Sequence, residues 1–339
     1  MLFHLSDTLI GYTAEQKHKV LIGVTNLLVG YYEGKNLLTI SDDFYEHFSK
    51  VLMDDRALRA LRHLYSYTTY DYGVNHSFIV ILDGDCGKNE LLIDYFYNTS
   101  TVQPVQIIGE NTNDIEYYAI VTRIIRHVDA EYLSYNPVLG GGYTTAGRLE
   151  KCQNNKELAL CIVDSDIKYP KATKGPTYSE ILDKYDPSNK HVVLIGIKVH
   201  EIENLLPPKY IEKQANSDAK SLMKKIISKS RLDFLRWYDL KSGISVEDLK
   251  NADYNDFAKE MYHVLFNSKS GSFERHVIHC ARNKKKIFPG VCNNLVKKFL
   301  NLPYEKQIVF NIHFKDEWKE IANYFYSFAC SRESTPINI

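Results

Sequence analysis

The first hundred residues carry two kinds of hydrophobic pattern. Apolar positions recur at helical spacing over residues 14–30, and Ser41 with the two aspartates after it predicts the start of a second helix. Two short apolar runs on either side of a Gly-containing turn then favour a β-hairpin near residues 77–97. We therefore predict that residues 1–103 form a helical N-terminal region with one hairpin.

Strand-like and helical segments alternate through the middle third of the chain. Its apolar, partly β-branched runs are separated by amphipathic stretches, as in parallel βαβ units. The predicted strands are 105–108, 132–138, 158–163 and 191–199, and the predicted helices are 114–127 and 144–153. We predict that residues 104–215 form a sheet domain, and ligands of such sheets bind at the carboxyl ends of the strands.

The last third of the chain returns to helical periodicity. Pro207-Pro208 marks the predicted exit from the sheet domain, and residues 216–339 form a predicted helical C-terminal region that shapes or gates substrate access. The predicted fold class is therefore α/β, with a parallel sheet flanked by mainly helical N- and C-terminal regions.

Composition narrows the classes of function. The 339 residues are 44% hydrophobic and 25% charged, which is typical of a globular protein. Lys plus Arg and Asp plus Glu number 42 each, so a polyanionic partner has to be held by local basic patches. No apolar stretch is long enough to span a bilayer, and the six cysteines contain no CxxC pair. We expect a cytoplasmic protein with reduced thiols and no membrane partner.

Four acidic residues lie just beyond predicted strands. Glu110 follows the first strand of the middle third, and Asp114 comes four residues later at the start of a helix. Asp164 and Asp166 follow the third strand, and strand alternation directs both carboxylates to one side with Ser165 turned away. Clustered carboxylates repel one another unless a cation neutralises them, so the pattern predicts a site for Mg²⁺ or Mn²⁺.

Each of these acids also has a purely structural interpretation. Asp114 at a helix N-terminus complements the helix dipole without any metal. The Asp164 and Asp166 pair is also typical of a solvated turn at the end of a strand. The combination of acids after two different strands is what favours the metal site.

Four segments of the middle third resemble the motifs of the TOPRIM family, specifically of the OLD-like effector nucleases of prokaryotic anti-phage defence. Residues 107–118 look like the acidic first motif and 138–143 like the Gly-rich turn after the second strand. Residues 161–166 match the DxD motif, and 200–207 look like the segment after the fourth strand. The resemblance covers residues 104–208. In one departure, Gly precedes Glu110 and Asn follows it, where family members usually show Glu-Gly.

The resemblance implies a TOPRIM-like Rossmannoid sheet whose acids hold one or two Mg²⁺ or Mn²⁺ ions. Glu110, Asp114, Asp164 and Asp166 are the implied ligands, and Glu110, Asp164 and Asp166 the implied catalytic residues, with Glu110 also a candidate general base. Such ions activate a water and stabilise the attacking and leaving oxygens of a phosphodiester displacement. The implied function is that of a metal-dependent endonuclease acting in anti-phage defence.

Four further residues are weaker candidates for the same site. Glu201 and Glu203 are candidate second-shell or second-metal ligands, with capping or ion pairing as the structural alternative. Gly141, in a run of three glycines, is a candidate for close approach of a phosphate, or it makes a tight turn. Lys241 is a candidate contact for the scissile phosphate, and its alternative is an ordinary solvated lysine.

Two other polar groups favour a structural interpretation. Asp83 and Asp85 also follow an apolar run, but no acidic motif precedes them at the distance of a βαβ unit, so we predict a hairpin turn. The second group comprises His276, His279, Cys280 and Cys292. Its spacing is not that of a known zinc finger, so a zinc site is only the alternative to a structural role.

The expected partners follow from the implied function. Nucleic acid is the expected substrate, and the basic cluster at residues 282–286 offers local positive charge. The sequence contains no ATPase motif, so we expect control by a regulatory partner such as a sensor ATPase, or by homo-oligomerisation. The main alternative is a non-catalytic TOPRIM-like binding module within a defence complex, which the changed order around Glu110 favours. A primase or topoisomerase is less favoured because no zinc ribbon is evident.

Overall fold

The chain folds as an α/β protein with two four-stranded parallel sheets. The computed structural model describes residues 1–66, 76–87, 89–129, 132–269, 271–308 and 313–332. Two compact units are distinguished: Met1–Cys161 with Lys184–Leu194 and Lys319–Ile339, and Ile162–Asp183 with Ile195–Trp318. The boundaries predicted at residues 103 and 215 do not coincide with this division.

The first sheet belongs to the N-terminal part of the first unit. Its strands are β1 (Leu2–Leu5), β2 (Leu37–Thr39), β3 (Phe78–Ile81) and β4 (Glu90–Leu92), in the order β2-β1-β3-β4. Every adjacent pair is parallel. The sequence patterns missed β1 and β2, because runs of four and three residues are too short to show a period.

The predicted hairpin near residues 77–97 is wrong. Strand β4 runs parallel to β3, with Ile79 opposite Glu90 and Val80 opposite Leu91. An apolar run gives no strand direction, and a short connection favours a reversal because parallel neighbours usually need a longer crossover. The Gly87 amide donates a 2.6 Å hydrogen bond to Glu90 Oε2, which helps position the start of β4. Residue 88 of the predicted turn lies outside the described residues.

Three helices lie between the strands of the first sheet along the chain. They are α1 (Lys17–Tyr32), α2 (Asp42–Val51) and α3 (Asp55–Ser66). The predicted cap at Ser41 is confirmed, since its Oγ accepts a 3.0 Å hydrogen bond from the Phe44 amide.

The second sheet comes from the middle third of the chain. Its strands are β5 (Val105–Gly109), β6 (Tyr135–Leu139), β7 (Ala159–Val163) and β8 (Val192–Gly196), in the order β6-β5-β7-β8. Strand β5 pairs in parallel with β6 and with β7. All five residues of β7 are buried, as expected for a central strand covered on both faces. The predicted parallel sheet is therefore confirmed.

Helices follow the strands of this sheet along the chain. They are α4 (Thr112–Arg126), α5 (Thr144–Asn154) and α6 (Pro176–Lys184). The first two agree with the predicted helices to within two residues at each end, which is the usual uncertainty of a helix boundary.

Helices predominate in the second unit. They are α7 (Pro208–Gln214), α8 (Ser217–Ser228), α9 (Ala252–Phe266), α10 (Ser272–Arg282), α11 (Leu295–Leu300) and α12 (Tyr304–Gln307), and α13 (Lys315–Ala329) continues into the first unit. A two-stranded antiparallel ribbon, β9 (Gly243–Ile244) with β10 (Phe288–Pro289), was not predicted. Over the described ranges, no helix combines the length and apolar character needed to cross a membrane.

Candidate functional site

Glu110 and Asp114 lie in the first unit, at the end of β5 and the start of α4. Glu110 is half-buried, whereas Asp114 is only 6% exposed. The Asn111 side chain accepts a hydrogen bond from the Asp114 amide at 3.3 Å, and Asp114 Oδ2 accepts one from the Asn111 amide at 3.1 Å. This reciprocal pair is a capping box, so Asp114 has the helix-capping role that the sequence left open.

The glycine run packs its backbone against the segment that bears Glu110. The Gly141 amide donates to the Glu110 carbonyl oxygen at 2.9 Å, and the Gly140 amide donates to the Gly109 carbonyl oxygen at 2.8 Å. A Cβ atom on Gly140 would overlap the Thr145 side chain, and Gly141 has a φ of +69°. Backbone geometry thus accounts for glycine at both positions.

Asp164 and Asp166 lie in the second unit, directly after β7. Asp164 Oδ1 accepts a 3.0 Å hydrogen bond from the Ile202 amide. The buried Ser165 hydroxyl donates to the Val199 carbonyl oxygen. Asp166 has a φ of +55°, so the strand alternation expected to direct both aspartates to one side does not continue to Asp166. That part of the prediction is wrong.

Lys241 forms ion pairs with two of the predicted site residues, Glu201 and Glu203. Its Nζ lies 3.2 Å from Glu203 Oε1 and 3.3 Å from Glu201 Oε2. Burial would lower the pKa of Lys241, but the carboxylates of Glu203, Glu201 and Asp164 outweigh burial and raise it. The structure therefore brings Asp164, Glu201, Glu203 and Lys241 into one electrostatic group.

The pKa of Glu201 is raised above its ordinary value. Burial raises it, the charges of Lys241 and His200 lower it, and burial prevails. Glu201 Oε2 and Glu203 Oε2 are both buried and have no hydrogen-bond partner among the described residues. The 3.3 Å contact of Glu201 Oε2 with Lys241 is thus an ion pair without hydrogen-bond geometry.

His200 and Asp239 extend the group, and sequence reasoning did not identify either as a site residue. His200 is 2% exposed, and its Nε2 lies 3.9 Å from Asp239 Oδ2. Asp239 Oδ1 accepts hydrogen bonds from the amides of Lys241 at 3.0 Å and Ser242 at 2.6 Å. Burial would raise the pKa of Asp239, but the His200 imidazole and the Ser242 amide outweigh it and lower that pKa.

Hydrogen bonds connect the two segments that carry this group, residues 200–204 and 235–241. The side-chain nitrogen Nδ2 of Asn204 donates to the carbonyl oxygens of Leu235 at 2.6 Å and Tyr238 at 2.7 Å. The His200 amide donates to the Arg236 carbonyl oxygen at 2.7 Å. These bonds place Asp239 and Lys241 beside residues 200–203. No spacing rule predicts such an arrangement, although the polar residues that follow the apolar run of β8 are a usable signal.

One group of three metal-ligating side chains is found within the described ranges. It consists of His200, Glu201 and Asp239, whose ligand atoms all lie within 4.8 Å of one another. The proposed zinc alternative is not gathered in the same way. His276 Nε2 lies 3.1 Å from the Ile287 carbonyl oxygen, and Cys292 Sγ contacts Lys298 Nζ at 2.7 Å.

The predicted site residues divide between the two units. Glu110, Asp114 and Gly141 belong to the first unit, and the second unit holds the remainder. The remainder are Asp164, Asp166, Glu201, Glu203 and Lys241. No protein-family model, curated protein or solved structure matches this chain.

Proposed function

We propose that this chain is a divalent-metal-dependent nuclease with a TOPRIM-like catalytic sheet, acting as an effector in anti-phage defence. The observation that carries the proposal is the convergence of Asp164, Glu201 and Glu203 on Lys241 beyond the carboxyl end of β7. Carboxylates together with one lysine at such a position suit the hydrolysis of a phosphodiester.

The residues of this group fit a divalent cation. Asp164, Glu201 and Glu203 lie in the electrostatic range of the Lys241 ammonium group, and Asp239 lies in that of the Lys168 ammonium group. The four carboxylates therefore outnumber these two ammonium groups. Two of the carboxylate oxygens are buried without a hydrogen-bond partner among the described residues. A buried carboxylate oxygen in that condition is costly, and a hard cation would satisfy it.

Each residue has a distinct part in the proposed reaction. A bound Mg²⁺ or Mn²⁺ ion supplies an activated water and stabilises charge on the phosphate oxygens. Asp164 is held by the Ile202 amide in a fixed orientation. Lys241 is 41% exposed at its side chain, so its ammonium group is accessible to a substrate phosphate while Glu201 and Glu203 position it.

The resemblance also assigns Glu110 and Asp166 to catalysis, and both assignments stay predictions. Glu110→Ala and Asp166→Ala should each abolish metal-dependent cleavage while leaving the protein folded. Full activity in both variants would remove these two residues from the proposed centre without affecting the role of Lys241.

The decisive experiment is a cleavage assay on the full chain. Single- and double-stranded DNA, RNA and tRNA are incubated with the protein and either Mg²⁺, Mn²⁺ or EDTA. We expect metal-dependent cleavage of at least one substrate, and a loss of at least about 100-fold in Lys241→Met.

Lys250→Met is the matched control for Lys241→Met. Lys250 also forms an ion pair with a glutamate of the second unit, but its side chain is 77% exposed, and its partner Glu247 is 76% exposed. Its loss should leave cleavage unchanged. Absence of cleavage under every condition, or equal loss in both lysine variants, would contradict the nuclease proposal.

One observation favours the non-catalytic alternative, a TOPRIM-like module that binds a partner within a defence complex. The Lys241 ammonium already partly neutralises Glu201 and Glu203 without any metal. Buried carboxylates are commonly paired with a lysine or arginine of the same protein for purely structural reasons. Binding of Mn²⁺ or of nucleic acid without cleavage would support this alternative.

Control by a partner is part of the proposed function. A nuclease that is active at all times is harmful to its own cell, so we propose that a sensor protein or homo-oligomerisation restrains this one. Light scattering after size exclusion, together with growth of cells that express the chain alone, tests this. A monomer that degrades nucleic acid freely and kills its host unaided would contradict regulation but not the nuclease activity.

A further inference from the structure

We propose that His200, Glu201 and Asp239 bind one transition-metal dication through an imidazole nitrogen and two carboxylate oxygens. This inference deepens the proposed function, because Glu201 belongs to both groups. Metal binding here nevertheless does not require that the chain cleave nucleic acid, so the two proposals can fail separately.

The spacing of the three side chains suits a shared ion. Their ligand atoms lie within 4.8 Å of one another. Atoms bonded to one ion at roughly 2.0–2.2 Å are about 3 to 4.4 Å apart, depending on the angle between the bonds. Small rotations of the Glu201 and Asp239 side chains are therefore enough to close the site around an ion.

His200 provides the independent observation that points to a ligand. It is 2% exposed, and neither of its ring nitrogens has a hydrogen-bond partner within the described ranges. Its backbone is fixed on both sides, because its amide donates to Arg236 and its carbonyl oxygen accepts from Asp166. A buried imidazole that is held in place without a hydrogen bond is rare. Nε2 lies 3.9 Å from Asp239 Oδ2, beyond hydrogen-bond distance, so a metal ion bound by both groups would satisfy this nitrogen.

Asp239 is oriented as a ligand carboxylate. The amides of Lys241 and Ser242 both donate to Oδ1, at 3.0 and 2.6 Å. Oδ2 is left on the side of His200, 3.9 Å from Nε2. Backbone bonds to one oxygen fix the direction of the other, which is how proteins commonly orient metal-ligating carboxylates.

The ligand set discriminates between cations. Mg²⁺ and Ca²⁺ prefer all-oxygen sites, whereas imidazole favours Mn²⁺, Fe²⁺, Co²⁺ and Zn²⁺ in the order of rising affinity for nitrogen ligands. The site should therefore bind Mn²⁺ more tightly than Mg²⁺. The site implied by the sequence motifs contains only carboxylates. It has no nitrogen ligand that would favour Mn²⁺ over Mg²⁺.

Lys241 opposes metal binding at this site. Its ammonium group lies 3.3 Å from Glu201 Oε2, on a carboxylate that the ion would share. Like charges held this close repel one another, so removal of the ammonium should strengthen Mn²⁺ binding by about tenfold. Lys241→Met thus has opposite effects in the two proposals: it tightens metal binding and prevents cleavage.

The test uses the full chain, Mn²⁺ as the probe, and electron spin echo spectroscopy. Nitrogen coordination from His200 should give a ¹⁴N modulation of the Mn²⁺ signal at one equivalent of metal. His200→Asn should abolish the modulation and weaken Mn²⁺ binding at least roughly tenfold. His279→Asn, a matched change at an exposed histidine of α10, should alter neither. Wild-type protein that binds no Mn²⁺, or binds it without ¹⁴N modulation, overturns the proposal.

A second variant covers the case in which His200→Asn does not fold. Asp239→Asn keeps an oxygen on the amides of Lys241 and Ser242 but turns an amide NH₂, which does not coordinate a metal ion, toward the site. Thermal melting establishes whether either variant is folded. Folded Asp239→Asn should bind Mn²⁺ at least roughly tenfold more weakly. Undiminished Mn²⁺ binding by that variant contradicts the proposal. Cleavage with Mg²⁺ but no ¹⁴N modulation would retain the nuclease and reject this site, and modulation without cleavage would do the reverse.

Discussion

Two loops of this molecule share an Asp-x-Asp sequence but differ in the residues that surround it. Each follows a short apolar strand and contains two aspartates separated by one residue: Asp83 and Asp85 after β3, and Asp164 and Asp166 after β7. Asp83 and Asp85 are exposed, and Asp83 accepts a 3.1 Å hydrogen bond from the Gln16 side chain. Asp164 instead accepts from a backbone amide and lies within the electrostatic range of Lys241.

The difference lies in what packs against each loop. Residues 199–202 bond to the loop after β7 at three consecutive positions, through the Asp164 carboxylate, the Ser165 hydroxyl and the Asp166 amide. That same segment carries His200 and Glu201 and leads to Glu203. An Asp-x-Asp pair therefore becomes a candidate centre only when a second segment brings further ligands to it.

The largest expected effect separates the two loops by activity. Asp164→Asn should lower metal-dependent cleavage at least about 100-fold, because it removes a charged ligand from the proposed centre. Asp83→Asn is the matched change in the other loop and should leave cleavage unchanged. Rates measured at saturating Mn²⁺ test both. Equal activity in the two variants would remove the functional distinction between the loops.

A smaller effect concerns the glycine that packs against the second loop. A Cβ atom on Gly175 would overlap Asp166 Oδ2, and the Gly175 amide donates to the Ser165 carbonyl oxygen at 2.9 Å. Gly175→Ala should therefore lower the free energy of unfolding by about 2 kcal/mol and reduce cleavage. A Cβ atom on Gly84 would contact nothing within 4 Å. Because Gly84 has a φ of +107°, Gly84→Ala should lower the free energy of unfolding by roughly 1 kcal/mol through backbone strain alone.

Urea denaturation and cleavage rates measure the two alanine variants together. Gly84→Ala should change the free energy of unfolding alone, and Gly175→Ala should change both the free energy of unfolding and the cleavage rate. A Gly175→Ala protein with unchanged activity would show that the position of Asp166 does not matter for the reaction.

The smallest expected effect compares the hydrogen bonds that hold the loops. Ser165→Ala removes a buried hydroxyl that donates to Val199, which should cost about 1 kcal/mol of unfolding free energy. In the first loop, the Thr8 hydroxyl accepts from the Leu82 amide at 3.2 Å in an exposed position. Thr8→Ala should cost less than about 0.5 kcal/mol. Similar values in the two variants would contradict the claim that the second loop is more firmly held.

The sequence predicted the second sheet better than the first. Its strands are five residues long and separated by full helices, so the βαβ pattern was visible. In the first sheet, β2 and β4 have three residues each, and the direction of β4 depends on contacts that no local pattern records.

The candidate site was predictable in part. Asp164 was identified at a strand end, Glu201 and Glu203 in the segment after the fourth predicted strand, and Lys241 only as a weaker candidate. The structure brings these four together. His200 and Asp239 were missed, because their association depends on Asn204 bonding to residues 235 and 238. Asp114 proved to cap α4, which a single sequence cannot distinguish from metal ligation.

Diffraction from crystals grown with Mn²⁺ and recorded at the manganese absorption edge distinguishes the two loops directly. The segment packed against the β7 loop should make that loop a metal centre, whereas the β3 loop should bind no metal. We expect an anomalous peak within about 2.5 Å of a carboxylate oxygen of Asp164 and none at Asp83 or Asp85. A peak at Asp83 or Asp85, or no peak at Asp164 at saturating Mn²⁺, would contradict this distinction.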